Sequence, residues 1–149
     1  MDSFSRMKLV FELNKDRTLD RDLISAKNKK LLADIEGELT IYCDDRVFFR
    51  EDYILLLELA IYLKKWITQI ESGLLCDFSY ETMDYDEGPI LEFKKDHGDV
   101  WTVQSIWALE KTPAYIDLLQ IVNAARDYID SFQEEIRIKY ALEIDDFMW

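Results

Sequence analysis

The chain has 149 residues, of which 49% are hydrophobic and 13% aromatic, so it is long and apolar enough for one domain with a sizeable core. Asp and Glu number 31 against 18 Lys and Arg, which gives a formal net charge of −13 at pH 7. This charge repels nucleic-acid phosphates and anionic membranes, and the sequence contains no concentrated basic patch, so we expect no direct binding to nucleic acid or to a membrane.

The N-terminal sequence, MDSFSRMKLVFELNKD, does not have the features of an export signal. It lacks both an apolar central region and a small-residue cleavage site. The longest apolar run, residues 53–63, contains Glu58 and is too short to span a bilayer. We therefore expect a cytoplasmic protein.

The first third of the chain predicts a strand and a hairpin. Apolar and polar residues alternate over residues 8–13, the period of a half-buried strand, whereas residues 18–34 fit either a short helix or a surface loop. Alternation returns over residues 38–49 around Asp44 and Asp45. Because aspartates favour tight turns, this pattern predicts a β-hairpin with the two aspartates at its tip.

A helix and three more strands are predicted next. The helical spacing covers about residues 53–72, with Asp52 as the expected cap and Gly73 just past the end. Period-two alternation then returns in three stretches, residues 76–81, 91–94 and 101–107.

The last third of the chain predicts a long helix that begins at the pair Thr112 and Pro113 and continues to about residue 142. The order of elements indicates an α+β fold. We predict a single domain over residues 1–149, with one antiparallel sheet of about five to six strands packed by two main helices, at about 53–72 and 113–142.

The acidic stretch ETMDYDEGPILEF, residues 81–93, raises the question of a metal or catalytic site. Asp84, Asp86 and Gly88 resemble the start of an EF-hand, but Pro89 and Lys95 stand where that motif requires glycine and glutamate. A less regular cation site and a carboxylate-dependent enzyme centred on residues 81–87 remain as alternatives. The simplest interpretation is a solvated loop between two strands.

Nucleophilic chemistry has few candidate residues in this sequence. His97 is the only histidine and lies in a turn pattern, and Cys43 and Cys76 have neither disulfide nor zinc-site spacing. We expect both cysteines to be small buried strand residues. The sequence therefore predicts no enzyme, no cofactor and no metal site.

Acidic residues concentrate at the two predicted turns, each next to a tyrosine. Acids around aromatic anchors suit a basic protein partner, because complementary potentials accelerate association and a buried tyrosine adds affinity. The predicted partner-binding residues are Tyr42, Asp44, Asp45, Glu81, Asp84, Tyr85, Asp86 and Glu87.

The C-terminal sequence EIDDFMW, residues 143–149, combines three acids with apolar residues beyond the last predicted helix. Two interpretations are open. The segment either folds back onto the core as a staple or serves as a docking segment. A homo-oligomer that pairs through this segment or through an exposed sheet edge is a further alternative.

The chain resembles the small acidic immunity proteins of bacterial polymorphic and contact-dependent toxin systems. The resemblance lies in size, charge and element order, and it is closest from IEGELTIYCDDRVFF through DFSYETMDYDEGPILEF to DVWTVQSIW. It implies a protein that neutralises a cognate basic toxin, for example a nuclease, by covering the toxin's active site. It assigns no role to individual residues.

Overall fold

A computed structural model describes residues 3–4, 6–14, 18–81, 88–110 and 112–148. The chain forms two β-sheets and two long helices, so the predicted α+β class is confirmed. The elements in chain order are β1 (Ser3–Phe4), β2 (Met7–Leu13), α1 (Arg21–Ala26), α2 (Leu31–Asp34), β3 (Glu36–Cys43), β4 (Arg46–Leu55), α3 (Leu56–Glu71), β5 (Phe78–Tyr80), β6 (Leu91–His97), β7 (Val100–Gln104), β8 (Ala114–Asp117), α4 (Leu118–Tyr140) and a 3-10 helix (Ile144–Phe147).

The strands form two sheets, so the prediction of one sheet is wrong. One sheet has three antiparallel strands in the order β2-β3-β4. The other has the order β1-β8-β7-β6-β5 and is antiparallel except for β1, which pairs parallel with β8. Helix α3 follows β4 without a turn. The strands after this helix, β5 to β8, pair with one another in the second sheet.

The first long helix starts later than predicted. Pairing of Glu36 with Leu55 extends the ladder of β3 and β4, so residues 53–55 belong to the strand. Asp52 is therefore an exposed strand residue and does not cap the helix, which begins at Leu56 with no side-chain cap. The predicted end is confirmed, because α3 stops at Glu71 and Gly73 adopts a φ of 95°.

The second long helix is preceded by a strand that the sequence reasoning missed. Residues 114–117 pair with β7, from Val103 opposite Ala114 to Val100 opposite Asp117. Helix α4 therefore begins at Leu118, and the pair Thr112 and Pro113 does not start it. The predicted strand 101–107 is also shorter, because β7 ends at Gln104.

Each long helix covers one sheet with an aromatic cluster. On α3, the Trp66 ring lies 5.3 Å from Phe93 and 6.0 Å from Trp101 of the five-stranded sheet. On α4, Tyr128 and Phe132 lie 5.6 and 5.5 Å from Phe11 of the three-stranded sheet, all edge to face. The buried apolar residues of both sheets and both helices form one continuous core.

The C-terminal segment docks on the protein through residues 143–148, as the staple interpretation predicts. Ile144 and Phe147 are buried. Arg137 donates to both carboxylate oxygens of Glu143 at 3.0 Å, and these hydrogen bonds hold the pKa of that carboxyl below its usual value. Lys64 pairs with Asp145 at 2.6 Å. Trp149 lies outside the described residues.

None of the helices in the described parts of the chain is long and apolar enough to cross a membrane.

A buried hydrogen bond between the two long helices gives a stability prediction. The Tyr128 hydroxyl donates to the carbonyl of Leu56 at 2.7 Å, and burial raises the pKa of Tyr128 well above its usual value, so the hydroxyl stays protonated. We expect Tyr128→Phe to lower the free energy of unfolding by about 1 kcal/mol, measured by urea denaturation. Tyr53→Phe is the control, because Tyr53 is 72% exposed. Equal stabilities of the two variants would contradict the prediction.

Candidate functional site

A groove of about 650 Å³ opens between the start of β2, the end of β3 and one face of α4. Three of the predicted partner-binding residues, Tyr42, Asp44 and Asp45, line it together. We call this the acidic groove. Its other lining residues are Arg6, Met7, Lys8, Leu9, Val10, Gln120, Asn123, Ala124, Asp127 and Ser131.

The hairpin turn at one end of the groove is fixed by the neighbouring strand. The amide of Arg6 donates to Asp44 Oδ1 at 3.0 Å, and the amide of Asp44 donates to the carbonyl of Arg6 at 2.9 Å. Asp44 also adopts a φ of 55°, which aspartate tolerates better than most residues. The half-buried Asp44 therefore shapes the turn, while the exposed Asp45 presents its carboxylate to solvent.

Helix α4 supplies a carboxylate that the sequence reasoning missed. Asn123, Asp127 and Ser131 recur every four residues, so they share one face of the helix, and that face lines the groove. Asp127 is exposed. The signal in the sequence was this polar stripe on an otherwise amphipathic helix, which is also typical of an ordinary solvated face.

The groove carries charges of both signs, with the negative ones in excess. Asp44, Asp45 and Asp127 contribute three carboxylates, and Arg6 and Lys8 contribute two cations. Tyr42 is half-buried and adds an aromatic surface. This combination can accept a cationic side chain, which pairs with carboxylates and packs on an aromatic ring.

The second predicted acidic turn follows β5, a strand of the other sheet, in the sequence. Glu81 is exposed and directly follows β5, and the described chain resumes at Gly88. Glu81 does not line the acidic groove. The remaining four predicted residues lie outside the described part of the chain, and they are Asp84, Tyr85, Asp86 and Glu87.

Residues 105–110 lie between β7 and β8 and hydrogen-bond to two other parts of the fold, and we call them the bridge segment. On one side the amide of Ile106 donates to the carbonyl of Pro89, shortly before β6, at 3.4 Å. On the other side the amide of Leu109 donates to the carbonyl of Phe48 at 2.9 Å, and Glu110 forms an ion pair with Arg46. The bridge segment therefore joins β4 to the residues that precede β6.

The two cysteines and the histidine lie at separate places in the sequence of elements, at the end of β3, before β5 and at the end of β6. Cys43 is buried, as predicted, and burial, together with the nearby charges of Glu110 and Asp44, raises the pKa of its thiol to about 12. Cys76 is half-buried and precedes β5, so its predicted place on a strand is wrong. His97 is exposed at the end of β6, where its ring contacts Asp96.

Within the described ranges, no three His, Cys, Asp or Glu side chains are grouped so that they could hold a metal ion. The acidic residues that suggested a cation site in the sequence are outside those ranges.

One edge of the five-stranded sheet is formed by β5. The exposed Leu74 and Leu75 lie shortly before this strand. A homo-oligomer, the further alternative from the sequence, would pair through an edge of this kind. That alternative stays a prediction.

The two thiols should differ in reactivity. With a pKa near 12, only roughly one ten-thousandth of Cys43 is thiolate at pH 8, and burial limits access further. We expect iodoacetamide at pH 8 to modify Cys76 at least about a hundredfold faster than Cys43, as followed by mass spectrometry of the folded protein. Cys76→Ser isolates the slow site, and unfolding in urea should make the two rates similar. Rapid alkylation of folded Cys76→Ser would contradict this prediction.

Comparisons with known proteins place the chain in a family but give no activity. The model of a family described as "Domain of unknown function (DUF7878)" matches residues 9–138. The match covers the bridge segment, both sheets except β1 and the first two residues of β2, and the acidic groove except Arg6, Met7 and Lys8. Neither the curated proteins nor the solved structures gave a match.

Proposed function

The chain belongs to the DUF7878 family of domains of unknown function, and we propose that it is an acidic protein-binding module for a basic protein partner. The acidic groove supports this proposal most strongly. It combines Tyr42, Asp44 and Asp45, which were expected to bind a partner, with Asp127 from a distant part of the sequence.

The proposed mechanism starts with long-range attraction. A net charge of −13 draws a cationic protein toward the chain and raises the association rate. The exposed carboxylates of Asp45 and Asp127 then pair with Lys or Arg side chains of the partner, and the ring of Tyr42 packs against their alkyl or guanidinium groups. Asp44 contributes chiefly by holding the turn in place.

We further propose that the partner is a cognate toxin, for example a nuclease, and that the chain acts as a cytoplasmic immunity protein. A nuclease must bind phosphates and therefore carries a positively charged active site. A surface with several fixed carboxylates can occupy such a site in place of the nucleic acid. In this proposal Glu81, Asp84, Tyr85, Asp86 and Glu87 extend the contact beyond the groove.

Charge reversal in the groove tests the proposal. The tagged chain is immobilised and used at low salt to capture basic proteins from an extract of its native host. The captured partner is purified, and its affinity for the chain is measured by calorimetry over a salt series. We expect Asp45→Lys and Asp127→Lys each to weaken binding by about tenfold at low salt and to make the salt dependence shallower, because ionic contacts are lost.

Asp130→Lys is the matched control for Asp127→Lys. It makes the same charge change on the same helix at an exposed position that does not line the groove. If Asp127→Lys and Asp130→Lys weaken binding equally, net charge alone explains the effect, and the assignment of the groove is wrong.

A further inference from the structure

The C-terminal segment, residues 143–148, is held on the protein by apolar burial and by hydrogen bonds to its backbone. The side chains of Ile144 and Phe147 are buried, with 1% and 4% of their surfaces exposed. Gln133 of α4 binds the backbone twice. Its side-chain amide donates to the carbonyl of Leu142 at 3.1 Å, and the Ile144 amide donates to Gln133 Oε1 at 2.7 Å. The segment therefore fits a specific site.

Ion pairs add charge complementarity to this site. Lys64 of α3 and Arg137 of α4 form the two pairs already described with the fold. Lys27, at the end of α1, forms another with Asp146 at 3.2 Å. The site thus presents cations from separate elements, although the whole chain has a net charge of −13. It suits an acidic segment that carries two apolar side chains.

The C-terminal segment is also ordered by contacts within itself. The Glu143 amide donates to Asp146 Oδ2 at 3.0 Å, and the Glu143 side chain accepts from the Asp146 amide in return, which forms a capping box. The box starts the 3-10 helix Ile144–Phe147. Because these bonds lie inside the segment, they do not depend on which molecule supplies the site.

The turn that leads into the segment is made at an unfavourable residue. Ala141 ends α4 with a φ of 54°, a left-handed conformation that glycine normally supplies at this position and that a Cβ disfavours. The Ala141 amide donates to the carbonyl of Arg137 at 3.0 Å, which closes the turn. Ala141 is exposed, so its methyl group gains no burial in the core that would offset the strain.

The sequence at this turn favours a longer helix. Ala141, Leu142 and Glu143 directly follow α4, and alanine, leucine and glutamate are among the strongest helix formers. Neither glycine nor proline occurs after Pro113, so no helix-breaking residue ends α4. Docking of the C-terminal segment therefore imposes the turn on residues that would otherwise extend the helix.

We propose that the C-terminal segment exchanges between two copies of this chain, so that each copy receives the segment of the other in the site formed by Lys27, Lys64, Gln133 and Arg137. In this dimer α4 continues through Ala141, which takes an ordinary helical φ. The buried contacts and ion pairs of the segment form again between the chains. A short, strained connection favours such an exchange, because the dimer keeps the contacts and relieves the strain. The exchange does not depend on the proposed function.

The dimer should appear only at high protein concentration. Within one chain the short connection keeps the segment at an effective concentration of roughly millimolar or more, and a second copy must compete with that. After equilibration in mild urea and its removal, we expect light scattering to show dimer at about 1 mM and monomer at about 10 μM. Salt near 0.15 M screens the repulsion between the two acidic chains, because the Debye length is then about 8 Å.

Complementary charge reversals in the full-length chain test the exchange. Lys64→Asp makes the site repel its own segment at Asp145, and Asp145→Lys makes the segment repel its own site. When the two variants are mixed, only an exchanged heterodimer brings opposite charges together at both sites. We expect about tenfold more dimer in the mixture than in either variant alone at the same total concentration. Isotope labelling of one variant identifies the heterodimer by native mass spectrometry.

The ion pair between Arg126 and Glu71 supplies the matched control. It joins α4 to α3 at 3.0 Å, its side chains are similarly exposed, and neither belongs to the C-terminal segment. Mixing Arg126→Glu with Glu71→Arg should therefore give no additional dimer.

Glycine at position 141 tests the role of the strained turn. Ala141→Gly should lower the fraction of wild-type dimer about fivefold, because glycine adopts the left-handed conformation without a Cβ penalty and so stabilises the monomer. The position is exposed, and the substitution leaves the core unchanged.

The other possible results contradict the proposal. A chain that stays monomeric at about 1 mM, or a mixture of Lys64→Asp and Asp145→Lys with no more dimer than the separate variants, would overturn the exchange. An equal gain from the control pair would place the contact elsewhere, for example at the sheet edge formed by β5, and would overturn it as well. An unchanged dimer fraction in Ala141→Gly would overturn the strained turn as its cause.

Discussion

The backbone of Leu56 joins the main layers of this protein. Its amide donates to the carbonyl of Ile35 at 3.1 Å, and its carbonyl accepts the hydroxyl of Tyr128 at 2.7 Å. Leu56 is also the point where β4 becomes α3, and its side chain is fully buried. Because Ile35 directly precedes β3, these bonds tie the start of that strand to α3, and α3 to α4, the helix that forms one wall of the acidic groove.

Close packing at the same junction explains why β3 has a glycine at position 37. A Cβ at Gly37 would lie 2.2 Å from the carbonyl oxygen of Glu12 and 2.8 Å from Leu56 Cδ1. The two strands and the start of α3 therefore meet at a distance that only glycine permits. This junction between β2, β3 and α3 is therefore closely packed.

Local patterns in the sequence predicted local structure well. The hairpin tip at Asp44 and Asp45 and the helix end before Gly73 were found because a few adjacent residues determine them. The division into two sheets and strand β8 were not found, because they depend on which distant strands pair. The same limit applies to the site: the turn was identified, but Asp127 reaches the groove only through the packing of α4, and Ile106 was interpreted as a strand residue.

Asp44 and Asp45, at the tip of the hairpin, differ in the substitutions that each position can accept as the family diverges. Asp44 needs a left-handed backbone and an acceptor oxygen for the Arg6 amide, and asparagine can satisfy both. Relatives could therefore vary the negative charge at this position while they keep the form of the turn. Asp45 is under no such backbone demand and could vary freely in charge and size. Because the turn keeps its form, the charge of the proposed binding surface could change one residue at a time.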